Sequence, residues 1–519
     1  MGSISEPEDP SDPIRTMAMH ASRLLAVLAL LLTSFVGPSD EIVKEFKRYF
    51  KKYKDTPTRV EAIVSLDGTD SPAVVDVLVP ILKDPKAEVV EAAVRVLAGF
   101  QDEEAVQRLF EKLEKEKKES VRLGLLRAMA RGGYSGGQEV LVECLDDRSW
   151  QVRRRALLAL ASDPTAAEAV GALGSDKEPA VRSAALEALS AMRSPLVHES
   201  ARVALDDGSW QVRASAIAAL GHVRKTESVG WLIAQMDREE GRLLEDVGEA
   251  LENLTGRTFG SRKDLWQRFW DGGGDYEIPT DEELAKLRAI QRKRAESYSP
   301  TGTSYHGIDT PSRSILFVID VSGSMENEVI ERERFEDGDF PSFQRIDIVK
   351  TELARTIEAL ESYVRFNIVA FASKVDPWKK DLVVANVLNK SSAIDWVNRL
   401  EPLGGESKLA LGNVGLAGSA DLSAGKTNTY GALTWALGVA GKGTREGDYE
   451  VEVDTIFFLS DGRPTAGEYI DPGDILREIG EANGLRKVVI HTIALGEFKK
   501  HFMKDLAEQS GGAFVDLGR

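Results

Sequence analysis

Ser314-Ile-Leu-Phe-Val-Ile-Asp-Val-Ser-Gly-Ser324 decides the reading of the C-terminal part of the chain. The unbroken apolar run Ile315 to Ile319 reads as a strand buried on both faces, the habit of parallel sheets covered by helices. It ends at Asp320, and Ser322 and Ser324 follow at alternate positions. Three oxygen-bearing side chains therefore crowd one tight loop, with Gly323 permitting the bend. Taken alone, such a loop is equally well a strand-ending turn held by local hydrogen bonds.

Further apolar runs follow at Phe366 to Phe371, Thr455 to Leu459, Val488 to Leu495 and Ala513 to Leu517. Amphipathic helices are predicted between them at about Ile346 to Ser362, Ser391 to Leu400, Gly431 to Ala440, Pro472 to Asn483 and Lys499 to Gln509. This alternation predicts an α/β doubly wound, mostly parallel sheet, whose ligands bind beyond the carboxyl ends of the strands at a topological switch point. Two more oxygen donors fall at such places. Asp461 ends the strand in Phe457-Phe-Leu-Ser-Asp461, and Thr427, in Gly425-Lys-Thr427, stands at a helix start.

Asp320, Ser322, Ser324, Thr427 and Asp461 are all hard donors, with no histidine or cysteine among them, which selects magnesium and admits manganese or calcium but not zinc. The three separated segments resemble the metal-ion-dependent adhesion site of von Willebrand factor type A (VWA) domains over about residues 314–519. The resemblance implies that Ser322, Ser324 and Thr427 contact the ion directly, while Asp320 and Asp461 act through water and the ligating hydroxyls. Neutral inner oxygens leave the cation undercompensated, so the implied ligand is an Asp or Glu carboxylate of a protein partner. Two departures border the site. Some 20 extra residues, Glu406 to Lys426, separate Gly404-Gly405 from Thr427, and either shape specificity or displace the threonine. An extension, Glu326 to Phe343, carries Glu326, Glu328, Glu331, Glu333, Glu336, Asp337 and Asp339, and is either a solvated loop or a source of an internal carboxylate that shields the site.

The N-terminal part is repetitive. Asp147-Arg-Ser-Trp-Gln-Val-Arg153 returns as Asp207-Gly-Ser-Trp-Gln-Val-Arg213, and apolar anchors at Val89, Val121, Val152, Val181, Val212 and Leu243 set a period near 31. Apolar residues at +4 and +8 from most anchors, such as Ala156 and Leu160, share one helix face. Such hairpins bury that face only by stacking, which predicts an all-α solenoid. The pattern resembles short HEAT repeats, which implies that Arg122, Arg153, Arg182 and Arg213 ladder between repeats and that the concave face binds proteins. Trp150 and Trp210 are expected to pack between units, and Trp266, Phe269 and Trp270 to lie on a closing helix.

The whole is therefore read as multidomain: 1–38 a signal peptide or short N-terminal anchor behind an acidic leader, 39–280 the solenoid, 281–311 a charged helix and extended linker, 312–519 the VWA domain. Arg23 followed by the apolar run Leu24 to Leu32 is signal-like and too short to span a bilayer, so export is expected, with membrane contact only if this segment is uncleaved. Translation starting at Met17 or Met19 would give the signal its basic lead. A net charge of −18 argues against nucleic acid. The single cysteine, Cys144, excludes an internal disulfide. Gly425-Lys426-Thr427 mimics the end of a P-loop, but Ala420 stands where the first glycine belongs, so no nucleotide is expected. Ser322 lacks the flanking glycines of a hydrolase elbow, and no enzyme is expected. The alternatives are a metal-independent scaffold and a magnesium-dependent hydrolase with Glu468 as base near Asp461.

Overall fold

The computed structural model describes residues 39–274, 276–295, 303–404, 425–438, 451–461, 463–495 and 500–517. The signal-like segment and the insertion through Ala424 lie outside the described residues. The chain divides into two compact units, one ending at Val140 and the other running from Leu141 to Arg519.

In the first unit, paired helices such as Ala87–Ala98 and Glu103–Lys115 carry the repeat pattern. The anchors Val89 and Val121 are buried, and so are Ala93 and Leu97 below Val89, because residues four apart share one stripe. Arg59 pairs with Asp84 across the repeat turn.

The second unit begins with the later repeats. Helices Trp150–Leu160, Pro179–Ala191, Trp210–Val223 and Gly241–Thr255 stack in order, with Val152, Val181, Val212 and Leu243 all buried. An arginine ladder binds them. Arg153 donates through Nε and Nη2 to Asp176 at 2.7 Å each, and Arg182 repeats both bonds to Asp207 at 2.7 Å. Arg213 does the same to Glu239 at 2.6 and 3.1 Å. Each guanidinium also donates to the turn of its own repeat, Arg182 to the Asp176 carbonyl at 2.8 Å, so one side chain fixes the turn and the stacking together. On the helix Lys263–Asp271, Trp266 is fully buried, donates through Nε1 to the Gly260 carbonyl at 2.8 Å, and meets Phe259 and Phe269 edge-on, while Trp270 is 39% exposed.

The charged stretch forms the helix Asp281–Ala295, and the segment leading into it is tied down: Tyr276 donates to the Thr226 carbonyl, Arg224 pairs with Asp281 at 2.8 Å, and Leu284 is buried. The expected extended connector instead contains a hairpin of β1 (Thr303–Tyr305) and β2 (Ile308–Thr310). His306 and Gly307 turn it with φ of 49° and 78°, the left-handed pair that suits a two-residue hairpin. Its purpose is burial: Tyr305 is fully enclosed, edge-on to Phe317 and Phe457. Strand alternation too short to register in the sequence explains the miss.

The main sheet holds β3 (Ser314–Asp320), β4 (Arg365–Phe371), β5 (Val375–Pro377), β6 (Val383–Val384), β7 (Thr455–Ser460), β8 (Val489–Ala494) and β9 (Phe514–Asp516). Its order is β5-β4-β3-β7-β8-β9, with β6 on β4. Strands β3, β4, β7, β8 and β9 are parallel, while β5 and β6 pair antiparallel with β4. The chain leaves β3 toward β4 and later returns to β7 on the other side of β3. The carboxyl ends of β3 and β7 thus flank the switch point. His491 on β8 is buried, its Nδ1 accepting from the Ala513 amide at 3.0 Å, and burial holds it near a pKa of about 4, which keeps it neutral.

Helix Pro472–Arg486 of this sheet domain lies against the repeats. Arg155 donates to Glu481 at 2.8 Å, Lys487 pairs with Glu187, Arg242 donates to the Lys487 carbonyl, and Trp150 packs with Ala180 and Leu485. Trp210, at the repeat position equivalent to Trp150, lies under the Arg242 guanidinium. The two tryptophans pack within the stack as expected, and they also brace this contact.

Arg182→Ala strands the part-buried Asp207 carboxylate and is expected to cost about 2–3 kcal/mol in urea unfolding. Arg268→Ala, which loses only an exposed pair with Asp264, should cost less than about 0.5 kcal/mol.

Candidate functional site

The candidate site assembles where β3 and β7 end side by side, paired in register through Ile319 and Leu459. Asp320 closes β3 with no solvent exposure. Its Oδ1 accepts from the Ser322 amide at 2.8 Å, which folds the loop back on itself, and its Oδ2 accepts from the Ser460 hydroxyl at 2.5 Å. Ser322 Oγ then sits 3.2 Å from Ser324 Oγ, and Ser324 donates to Asp461 Oδ1 at 2.8 Å. Four of the five expected donors thus form one connected cluster.

Thr427 arrives by its backbone. The Gly323 amide donates to the Gly425 carbonyl at 3.1 Å, tying the returning segment to the Asp-x-Ser-x-Ser loop. The Thr427 amide donates to Thr465 Oγ1 at 2.9 Å, the Thr465 amide donates back to the Thr427 carbonyl at 2.9 Å, and Thr427 is buried. Asn428 caps the following helix, Thr429–Ala436, by accepting from the Gly431 amide at 2.9 Å. A Cβ on Gly425 would stand 2.2 Å from the Leu403 carbonyl oxygen. The two ends of the insertion therefore meet, and only glycine allows that approach.

Three contributors escaped the sequence reading. Ser460 and Thr465 flank Asp461 and carry no signal beyond being hydroxyls near a strand end. Arg345, at the start of helix Arg345–Ala359, donates through Nη1 to Asp461 Oδ2 at 2.5 Å and lies 3.5 Å from the Ser324 carbonyl. No local pattern marks it, because 21 residues separate it from Ser324. The acidic extension behaves as a solvated loop: Glu328, Glu331, Glu333, Glu336 and Asp339 are exposed, while Val329 and Phe335 anchor it in the core. Glu468 is exposed on the loop after Asp461.

Among the described residues no cluster of three or more His, Cys, Asp or Glu side chains is arranged to hold a metal. The donor set here is of another kind, two carboxylates and three hydroxyls. It fits a hard divalent cation on two counts. A separation of 3.2 Å between the serine oxygens lies between the edges of magnesium and calcium coordination shells, about 2.9 and 3.4 Å. Among the described residues no cationic side chain pairs with Asp320, and the Arg345 guanidinium pairs with Asp461. Burial first, and the negative charge of Asp461 second, push the Asp320 carboxyl up to about 7, against the hydrogen bonds from Ser322 and Ser460.

A cavity of about 560 Å³ elsewhere in this unit is lined by Glu187, His222, Arg242, Asp246, Lys487 and Gln509 among others. Its main charges are matched internally, Glu187 with Lys487 and Arg242 with Asp246.

A mostly parallel sheet with this strand order, preceded by stacked repeats, defines a helical-repeat protein with a C-terminal doubly wound α/β domain. The family model for the von Willebrand factor type A domain matches residues 338–412 and 418–516, and that for HEAT repeats matches residues 48–130 and 138–202. The chain therefore carries HEAT repeats followed by a VWA domain. It is 26% identical over 212 residues to inter-alpha-trypsin inhibitor heavy chain H1 of Mesocricetus auratus, a match covering 40% of this chain and 19% of that protein. Heavy chain H4 of Homo sapiens is 25% identical over 208 residues, 40% of this chain and 18% of its own. The chain thus spans about a fifth of the length of these curated relatives. Among solved structures, a von Willebrand factor type A protein from Catenulispora acidiphila aligns at 15% identity and a TM-score of 0.26, covering 40% of this chain and 39% of that one.

The elevated Asp320 pKa fixes a sign. The folded chain holds this proton better than the unfolded one, so the group's contribution to stability is intact below the ordinary carboxyl pKa of 3.8 and is lost as pH rises toward about 7. Between pH 5 and 8 in chelator, the wild type should lose on the order of 2–3 kcal/mol relative to Asp320→Asn, read from urea midpoints of both proteins.

Proposed function

We propose that this chain is an exported binding module whose VWA domain engages an acidic group of a protein partner through magnesium, with manganese or calcium able to substitute. Ser322, Ser324 and Thr427 would hold the ion directly, and Asp320 and Asp461 would orient the two serine hydroxyls and balance its charge. The ion's contribution is an electrophilic position for a partner's Asp or Glu carboxylate. The observation that carries this reading is the pair of serine hydroxyls 3.2 Å apart, with the buried Asp320 and Asp461 carboxylates behind them at adjacent strand ends. Export rests on the signal-like run at Leu24 to Leu32.

The HEAT repeats would supply a second protein-binding surface on the part of the stack that helix Pro472–Arg486 leaves uncovered. Nothing in the reading requires catalysis. Three neutral hydroxyl ligands and an open position suit recognition, and a hydrolase would need a base held against the reacting water.

The test compares partner capture from the exported fraction by wild type and Asp320→Ala, in magnesium and in EDTA. Capture is expected to fall at least tenfold with chelator and with the substitution. Recovery that is the same in all four conditions favours the metal-independent scaffold, and magnesium-dependent turnover of generic ester or phosphate substrates favours the hydrolase.

A further inference from the structure

The geometry points to Arg345 as a built-in cation that competes with the divalent ion for Asp461 and so sets how tightly the site takes metal. This rests on the metal-binding reading above. Both oxygens of Asp461 are engaged, Oδ1 by the Ser324 hydroxyl at 2.8 Å and Oδ2 by Arg345 Nη1 at 2.5 Å. The Asp461 side chain is wholly buried and that of Arg345 is 12% exposed, so little water screens the pair.

The fold delivers this guanidinium deliberately in space. After Ser324 the chain runs out through the extension and is drawn back by a bridge between Glu328 and Gln344, and by the Val329 amide donating to the Phe343 carbonyl at 2.9 Å. The Arg345 amide then donates to the Asn327 carbonyl at 3.0 Å. What the extension returns to the site is therefore a positive charge and not a carboxylate. Among the described residues the buried Arg345 Nε has no hydrogen-bond partner, so the fork is only partly satisfied there. A group held mainly by its charge on Asp461 is one that a divalent ion can displace or must tolerate.

A positive charge beside a divalent ion in a buried site opposes its binding by an amount corresponding to roughly ten- to a hundredfold in affinity. Arg345→Gln keeps a donor to Asp461 and removes the charge, while Arg345→Lys keeps the charge. Magnesium titrations by calorimetry on the full chain, with circular dichroism to confirm folding, should give Arg345→Gln an affinity about tenfold or more above wild type, with Arg345→Lys within about threefold of it. Binding by Arg345→Gln where the wild type binds too weakly to detect supports the same conclusion.

Wild-type binding that Arg345→Gln leaves unchanged or weakens overturns the role of Arg345 and leaves the metal site standing, because Arg345 would then only position Asp461. An equal gain in Arg345→Lys overturns it as well, since charge would not be the cause. No magnesium binding by any folded variant overturns both.

Discussion

Two carboxylates brought together away from water constrain everything around the switch point. Asp320 and Asp461 end neighbouring parallel strands, and the sheet register that buries Phe317 against Phe457 also forces these acids into proximity. Like charges in a poorly solvated place are tolerated only with hydrogen bonds and counter-charge. The surrounding structure supplies both: Ser460 and the Ser322 amide on one acid, Ser324 and Arg345 on the other. The loop geometry that presents the serine oxygens is thus the same geometry that makes the acids bearable.

Much of this was legible in the sequence. Runs such as Ile315 to Ile319 and Phe366 to Phe371 are too apolar to face water, and they became β3 and β4 within a residue at each end. The repeat anchors were equally plain, because a stripe recurring every 31 or so residues must be covered by its own copies. The hairpin at Thr303 to Thr310 was not, since three-residue strands leave no period to detect. In the site, motif residues beside strand ends were readable, whereas Arg345 was invisible because its role depends on how an extension closes in space. The extension reads as a run of acids, yet its ends decide its effect.

The contact between the sheet domain and the later repeats belongs to the same class of long-range fact. Glu481 and Lys487 look like ordinary helix-surface charges, and Arg155 and Glu187 like ordinary solenoid ones. Helix Pro472–Arg486 begins eleven residues after Asp461, so the repeats hold an element that follows closely from the site. Repeat residues such as Arg155 and Glu187, engaged by a helix of the same chain, are less open to a partner than the repeat pattern alone suggests.

The meeting of Leu403 and Gly425 has a practical side. Because the chain departs at Leu403 and returns at Gly425, with Gly425 seated against the Leu403 carbonyl and the Gly323 amide bonded to the Gly425 carbonyl, the framework at these residues pins the two ends together. Lengthening a segment whose ends are already pinned adds little entropic penalty, about 0.6 kcal/mol for each doubling. The position is therefore a natural grafting point, where a peptide epitope, a reporter or a segment borrowed from another protein can be displayed at the mouth of the domain while the sheet beneath keeps its register.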